Sequence, residues 1–263
     1  MNSETIRLWR RIGLPAGFTF FVLLLWQLGV RWAKLPPSLL VPPSEICNVI
    51  ASTFPLLMKH AIPTAIRLLI TFAAAAGLGF GLGVLLTSSK RLRQAIYPHV
   101  VLFQIMPKVA VAPLFIVWLG VGSVPSTTFA IFLAFFPMLV ATMSGLTSTD
   151  PNAVRLCRAL SATPWQIFRY VRLPYGLAYI FDGLKVASIL SMAGLIVGEF
   201  VAAQSGLGYL VIFASSLSNT GLLFAAIVLL CILGLALYAV VALAERLVMN
   251  WLAVPSLAAQ FPR

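Results

Sequence analysis

The chain has 263 residues, of which 61% are hydrophobic and 9% charged; soluble domains average roughly 25% charged residues, so a soluble globule with a wetted polar surface is excluded. Its 18 Lys and Arg against 6 Asp and Glu give a net charge of +12. The basic residues lie between long apolar runs rather than in clusters with exposed aromatics, which argues for membrane topology and against nucleic acid.

Cys47, Cys157 and Cys231 fall in separate segments, and the histidines are His60 and His99. This pattern offers neither a disulfide framework nor a metal-ligand spacing.

A bilayer core of about 30 Å takes roughly 20 apolar helical residues. Six stretches reach that length: Ile12–Val30, Pro63–Leu86, Tyr97–Leu119, Thr127–Leu146, Gly183–Ala203 and Gly221–Ala244. They predict an all-α, polytopic membrane helix bundle with residues 1–263 as a single domain. The first run follows Arg7, Arg10 and Arg11, yet it is too long for a signal peptide and no small-residue cleavage site follows Val30. It reads as an uncleaved span.

Between the first two spans lies Leu35–His60. Pro42 and Pro43 break the chain and Ser44 is placed to cap a helix. Ile46, Val49, Ile50, Phe54 and Leu57 then recur at helical spacing. That makes a short amphipathic helix, either lying on the membrane interface or packed against the bundle.

Within the second span, Arg67 is expected to snorkel to the headgroups. Gly77, Gly79, Gly81 and Gly83 occupy more than one helical face and allow close helix approach. Lys108 falls near the middle of the third span, between Pro107 and Pro113. It is either a cavity-facing cation that favours an anionic solute or an ammonium bonding carbonyls freed by the prolines. His99 is expected to be structural. Glu199, late in the fifth span, either pairs with a basic group or lines a gate, or makes a structural hydrogen bond.

The segment Thr147–Asp182 separates the fourth and fifth spans. Asp150-Pro151 starts one helix, an acceptor followed by a proline in the first turn, expected to run to about Ala162. Thr163 and Gln166 form a capping-box pattern for a second helix, which Leu173-Pro174 should end. Arg155 and Arg158 share one helical face, Arg169 and Arg172 another. Two short helices with a corner between them suit docking to a partner.

Lys and Arg also set the orientation. With the N-terminus inside, the cytoplasmic segments hold Arg7, Arg10 and Arg11, then Lys90, Arg91 and Arg93, then Arg155, Arg158, Arg169, Arg172 and Lys185, then Arg246 and Arg263. The outside keeps Arg31, Lys34 and Lys59, so both termini are expected to be cytoplasmic.

Asp150-Pro151 through Arg158-Ala159-Leu160-Ser161-Ala162, then Trp165-Gln166-Ile167-Phe168-Arg169 and Leu173-Pro174, resembles the cytoplasmic coupling loop of binding-protein-dependent ABC importer permeases. Gly183-Leu184-Lys185-Val186-Ala187, Glu199 and Ser205-Gly206-Leu207-Gly208-Tyr209 are similar to that family's fifth span and following loop. Pro107–Leu114 and Trp118–Gly122 are similar to the third span of its nitrate/sulfonate/taurine branch. The resemblance runs from about Leu40 onward and implies a type I importer permease in the bacterial inner membrane. It also implies docking of a separate ATPase at Asp150, Arg155, Arg158, Ser161, Ala162, Trp165, Phe168, Arg169, Leu173 and Pro174. An external binding protein would touch loops holding Gly120, Gly122, Gly206 and Gly208. Six spans are few for a complete pathway, so a second permease copy is implied, with membrane lipid around both.

The family's loop reads Glu-Ala-Ala, three residues, then Gly, where this chain has Arg155, Leu156, Cys157 and Ser161. The ATPase contact must therefore differ in charge, and serine lacks glycine's freedom for positive φ.

No Gly-x-x-x-x-Gly-Lys-Ser/Thr run occurs, so ATP is expected on the partner, with no cofactor or metal in this chain. The branch suggests a sulfonate, taurine or nitrate as solute, with a thiamine-precursor pyrimidine as the alternative. A stand-alone secondary transporter would leave the two-helix knob without a purpose. An intramembrane serine protease needs a histidine base inside the bundle, whereas His60 and His99 fall toward opposite sides.

Overall fold

The computed structural model describes residues 13–34 and 36–251. Arg7, Arg10, Arg11, Ile12, Leu35 and Arg263, used in the span and orientation arguments, lie outside them. The described chain is helical almost throughout. It runs α1 (Leu14–Trp32), α2 (Pro43–Ser52), α3 (Phe54–Ser88), α4 (Lys90–Ile105), α5 (Lys108–Leu119) and α6 (Ser123–Thr147). It continues with α7 (Pro151–Ala159), α8 (Pro164–Ile167), a π turn (Phe168–Arg172), α9 (Leu173–Ala202), α10 (Leu207–Ser216) and α11 (Thr220–Trp251). By length and apolarity α1, α3, α6, α9 with the turns before it, and α11 each suffice to cross a bilayer. The pair α4 and α5 supplies a sixth span, bent by 99°.

The bend has a local cause. Pro107 lacks an N–H, and its ring disfavours helical backbone at the preceding residue. Met106 is accordingly extended, at φ −56° and ψ 135°. Lys108 therefore opens α5 instead of sitting in the middle of a continuous helix. Pro63, Pro98, Pro113 and Pro137 lie within helices that continue past them.

The centre of the bundle is α6. Small residues let α9 lie against it. A Cβ placed on Gly145, Gly183, Gly194 or Gly198 would fall against Gly176, Ala141, Ala130 or Ser126 respectively, the last at 2.6 Å from Cα. The pairs run in opposite directions along the two helices, so α6 and α9 are antiparallel. On a second face of α6, Gly79 and Gly83 of α3 meet Met138 and Thr142 in parallel register, whereas Gly77 and Gly81 face open space. Without a solvent-driven hydrophobic force inside a bilayer, such close packing and its dispersion contacts hold helices together.

Ile46 of α2 is buried, and Val49 and Ile50 pack into the core cluster formed with Leu222, Ala225 and Leu229 of α11. The amphipathic helix thus packs against the bundle, with Phe54 left exposed. Ser44 does not cap it. Pro42 holds the N-cap position, and Ser44 instead pairs with Gln27 of α1, donating its N–H to Oε1 at 3.1 Å and accepting from Nε2 at 2.9 Å.

The expected helix end at Leu173-Pro174 is also corrected. Pro174 lies in the first turn of α9, where a missing N–H costs nothing. The chain passes from α8 through the π turn into α9.

Candidate functional site

Three polar features stand out in this apolar bundle. The first clasps the α9–α10 loop to α3. His60, Thr64 and Arg67 stand at spacings of four and three on one face of α3. Glu199 of α9 is 1% exposed. Its carboxylate accepts from Thr64 Oγ1 at 3.0 Å, from Arg67 at 3.1 Å and from the Gly208 N–H at 2.8 Å. Arg67 also donates to the Ser205 carbonyl at 2.8 Å and to Ser205 Oγ at 2.7 Å. Thr64 Oγ1 accepts from the Leu207 N–H at 2.8 Å, and His60 Nδ1 accepts from the Gly206 N–H at 3.2 Å. The His60 ring stacks on Tyr209 with centroids 5.9 Å apart.

Arg67 was expected to snorkel, yet it turns inward because Glu199 and Ser205 lie within reach. An ionised carboxylate buried in this way needs a cation and several donors. The clasp supplies them: Glu199 pairs with a basic group and accepts further hydrogen bonds from Thr64 and Gly208. His60, Thr64 and Ser205 escaped sequence reasoning, although a 4,3-spaced polar stripe in an apolar helix was the available signal. Gly206 has φ +118°, and a side chain there would run into the Glu199 carboxylate. Gly206 and Gly208 are buried inside this clasp, whereas Gly120 is exposed in the α5–α6 turn. That turn shares the same end of the bundle: the Gly122 N–H donates to the Ala202 carbonyl at 2.8 Å.

The second feature is the break between α4 and α5. Lys108 is half-buried, with Nζ 5.6 Å from the Phe136 ring centroid, a cation–π distance. Among the described residues no carboxylate pairs with it. The first turn of α5 has no side-chain cap, so its N–H groups and the ammonium create one electropositive focus within the span. His99, one α4 turn before Phe103, shares its Nδ1 with the Ala95 carbonyl at 3.1 Å, a local structural contact.

The third feature is the corner at the opposite end of the bundle. Asp150 caps α7, accepting from the Asn152 N–H at 2.9 Å. The Thr163–Gln166 capping box forms on both sides. Between them, Ser161 takes φ +60°. Its N–H donates to the Arg158 carbonyl at 3.0 Å, and the Ala162 N–H donates to the Cys157 carbonyl at 2.9 Å. This is a Schellman end with serine in the left-handed position that glycine usually fills. The serine thus adopts the geometry its side chain was expected to disfavour.

Leu156, Leu160 and Trp165 are 62%, 74% and 66% exposed at the corner. Trp165 stacks on Phe168 with centroids 5.5 Å apart. Arg155, Arg158 and Arg172 line one cavity beside it, while Arg169 is exposed elsewhere. Ala162, Leu173 and Pro174 are half-buried supports. Among the described residues, no group of three or more metal-ligating side chains gathers anywhere.

Known proteins are similar to this chain. The family described as "Binding-protein-dependent transport system inner membrane component" matches residues 75–250. The riboflavin transport system permease protein RibX of Chloroflexus aurantiacus is 34% identical over 92% of this chain and 91% of its own length. The putative aliphatic sulfonates transport permease protein SsuC of Bacillus subtilis is 30% identical over 95% and 93%. The formylaminopyrimidine transport permease protein ThiX of Halalkalibacterium halodurans is 29% identical over 90% and 95%. Among solved structures, an inward-facing MetNI methionine ABC transporter chain superposes with a TM-score of 0.63 at 21% identity, over 75% of this chain and 98% of that one. That likeness shows a shared fold. A bundle with six potential spans and a capped helical corner, matched to this family across most of its length, is a multi-pass membrane protein. It belongs to the binding-protein-dependent inner membrane components, the permease subunits of ABC importers, whose ATPase is a separate subunit.

Proposed function

We propose that this permease imports a small anion, and that its α7–α8 corner receives the ATPase subunit. The observation that carries the docking reading is the corner itself. Three large apolar side chains, Leu156, Leu160 and Trp165, stand exposed on capped helices whose backbone ends are already satisfied. Such a patch, ringed by arginines, suits a groove with an apolar floor and an acidic or carbonyl rim. Arg155 stands where the family carries an acidic residue, with Arg158 on the same helical face, so the partner's rim is acidic in this reading. ATP is held by that partner. Both termini are cytoplasmic, and the chain works as a pair of permease copies in the inner membrane. An external binding protein meets the opposite end of the bundle near the exposed α5–α6 turn.

The anion reading rests on Lys108, a cation that pairs with no carboxylate among the described residues, at an uncapped helix start inside a span. Sulfonate, taurine and nitrate have the matching charge chemistry. Uptake assays separate this from its rival. Lys108→Met should abolish most uptake of the anion while Lys108→Arg retains it, both at unchanged amounts of inserted protein. A second reading comes from relatives named for riboflavin and formylaminopyrimidine: the solute is a flat heteroaromatic. Undiminished uptake of such a compound by Lys108→Met would favour it.

A further inference from the structure

Beside the corner lies a cavity of about 310 Å³. It is framed by the ends of spanning helices: Leu86 and Thr87 of α3, and Leu146 and Thr147 of α6. Five cationic side chains line it, Lys90 and Arg93 from α4, Arg155 and Arg158 from α7, and Arg172 from the π turn. Among the described residues none of the five takes part in an ion pair; the ion pairs there involve Arg67 and Lys185. Among the described residues no acidic side chain lines the cavity. Five converging cations without a counter-charge repel one another, so the cavity is complementary to an anion bearing more than one acceptor oxygen.

A second cavity of about 550 Å³ adjoins the first, sharing Thr87, Leu146, Arg158 and Arg172. Val84, Ile167, Phe168 and Trp165 give it apolar walls. A free anion needs only the basic cavity, whereas an amphiphile fills both. Both cavities lie at the ends of the spanning helices α3 and α6.

We propose that these joined cavities bind an anionic phospholipid, the phosphate among Lys90, Arg93 and Arg172 and part of an acyl chain along Phe168 and Ile167. Clustered Lys and Arg at a membrane boundary attract anionic lipid generally; here the adjoining apolar cavity distinguishes lipid from free phosphate. Bound there, the lipid neutralises the base of the corner and ties α4 to α7. The site goes beyond the docking reading and shares Arg155, Arg158, Trp165 and Phe168 with it, so its test uses Lys90 and Arg93.

The test measures binding of a short-chain fluorescent phosphatidylglycerol to the full-length permease, purified in detergent with its ATPase. Saturable binding is expected, displaced by unlabelled phosphatidylglycerol and not by phosphatidylcholine of the same chains or by inorganic phosphate. The double variant Lys90→Gln, Arg93→Gln should weaken binding by roughly thirtyfold, with the ATPase still co-purifying. Lys90→Arg, Arg93→Lys should bind as the parent does, which separates charge from folding. Equal displacement by phosphatidylcholine would overturn the charge argument, and displacement by inorganic phosphate would overturn the lipid. Undiminished binding by the double variant would overturn the site. Loss of the ATPase from that variant would reassign the cavity to the subunit interface.

Discussion

Arg67 of α3 and Glu199 of α9 meet at 3.1 Å, with the Glu199 side chain fully buried and the Arg67 side chain 15% exposed. Thr64, Ser205 and the Gly208 N–H complete their hydrogen bonding. The pair holds the loop after α9 against α3, so it acts on the shape of that end of the bundle. Removing one partner strands the other's charge in an apolar setting, at about 3–5 kcal/mol. Arg67→Met should therefore lower the amount of folded permease sharply. Arg67→Met with Glu199→Gln should recover much of it. Thermal unfolding in detergent of both singles and the double measures this coupling; additive losses would show that the pair is not a unit.

The glycines of α3 make a sharper contrast. Gly79 and Gly83 have α6 within 3.0 Å of where a Cβ would lie, whereas Gly77 and Gly81 have nothing within 4 Å. Gly79→Ala and Gly83→Ala should each destabilise by about 1–3 kcal/mol through overpacking. Gly77→Ala and Gly81→Ala should be neutral or stabilise by up to about 1 kcal/mol. Ranking the four variants by unfolding temperature checks the α3–α6 register, and similar losses at all four would contradict it.

These two cases mark what was legible beforehand. Apolar run length reveals the spans, and the caps at Asp150 and Thr163 follow from local chemistry, so both appear in the residues alone. Arg67 turns inward only because α9 brings Glu199 beside it, a contact between segments far apart in the chain. Likewise nothing local separates Gly79 from Gly81; the position of Met138 does. The π turn at Phe168–Arg172 escaped because Leu173-Pro174 looks alike as a helix end and as a helix start.

Ser161 holds a left-handed backbone conformation that costs an L-residue about 1–2 kcal/mol. Ser161→Gly should relieve it and tighten the Schellman end. Amide hydrogen exchange at Ser161 and Ala162 should slow in that variant, while Ser161→Val should speed it. Unchanged exchange in both would mean that the corner bears no such strain.

The native cysteines test the orientation. Cys47 is exposed on α2, and Cys157 is half-buried in α7. With both termini cytoplasmic, an impermeant thiol reagent should modify Cys47 in cells whose outer barrier is opened, and Cys157 only once the inner membrane is permeabilised. Modification of Cys157 first would reverse the topology.

The docking of a separate ATPase at the α7–α8 corner is tested most directly by replacing Asn152–Ala162 with a flexible Gly/Ser segment of equal length. Thr163, Pro164 and the helix leading into α9 stay intact, so the spans keep their register. The measurement is co-purification of the ATPase with the inserted permease. The expected result is loss of the ATPase at an unchanged yield of membrane-inserted chain. An ATPase retained at full stoichiometry would contradict the assignment of this corner as its docking site.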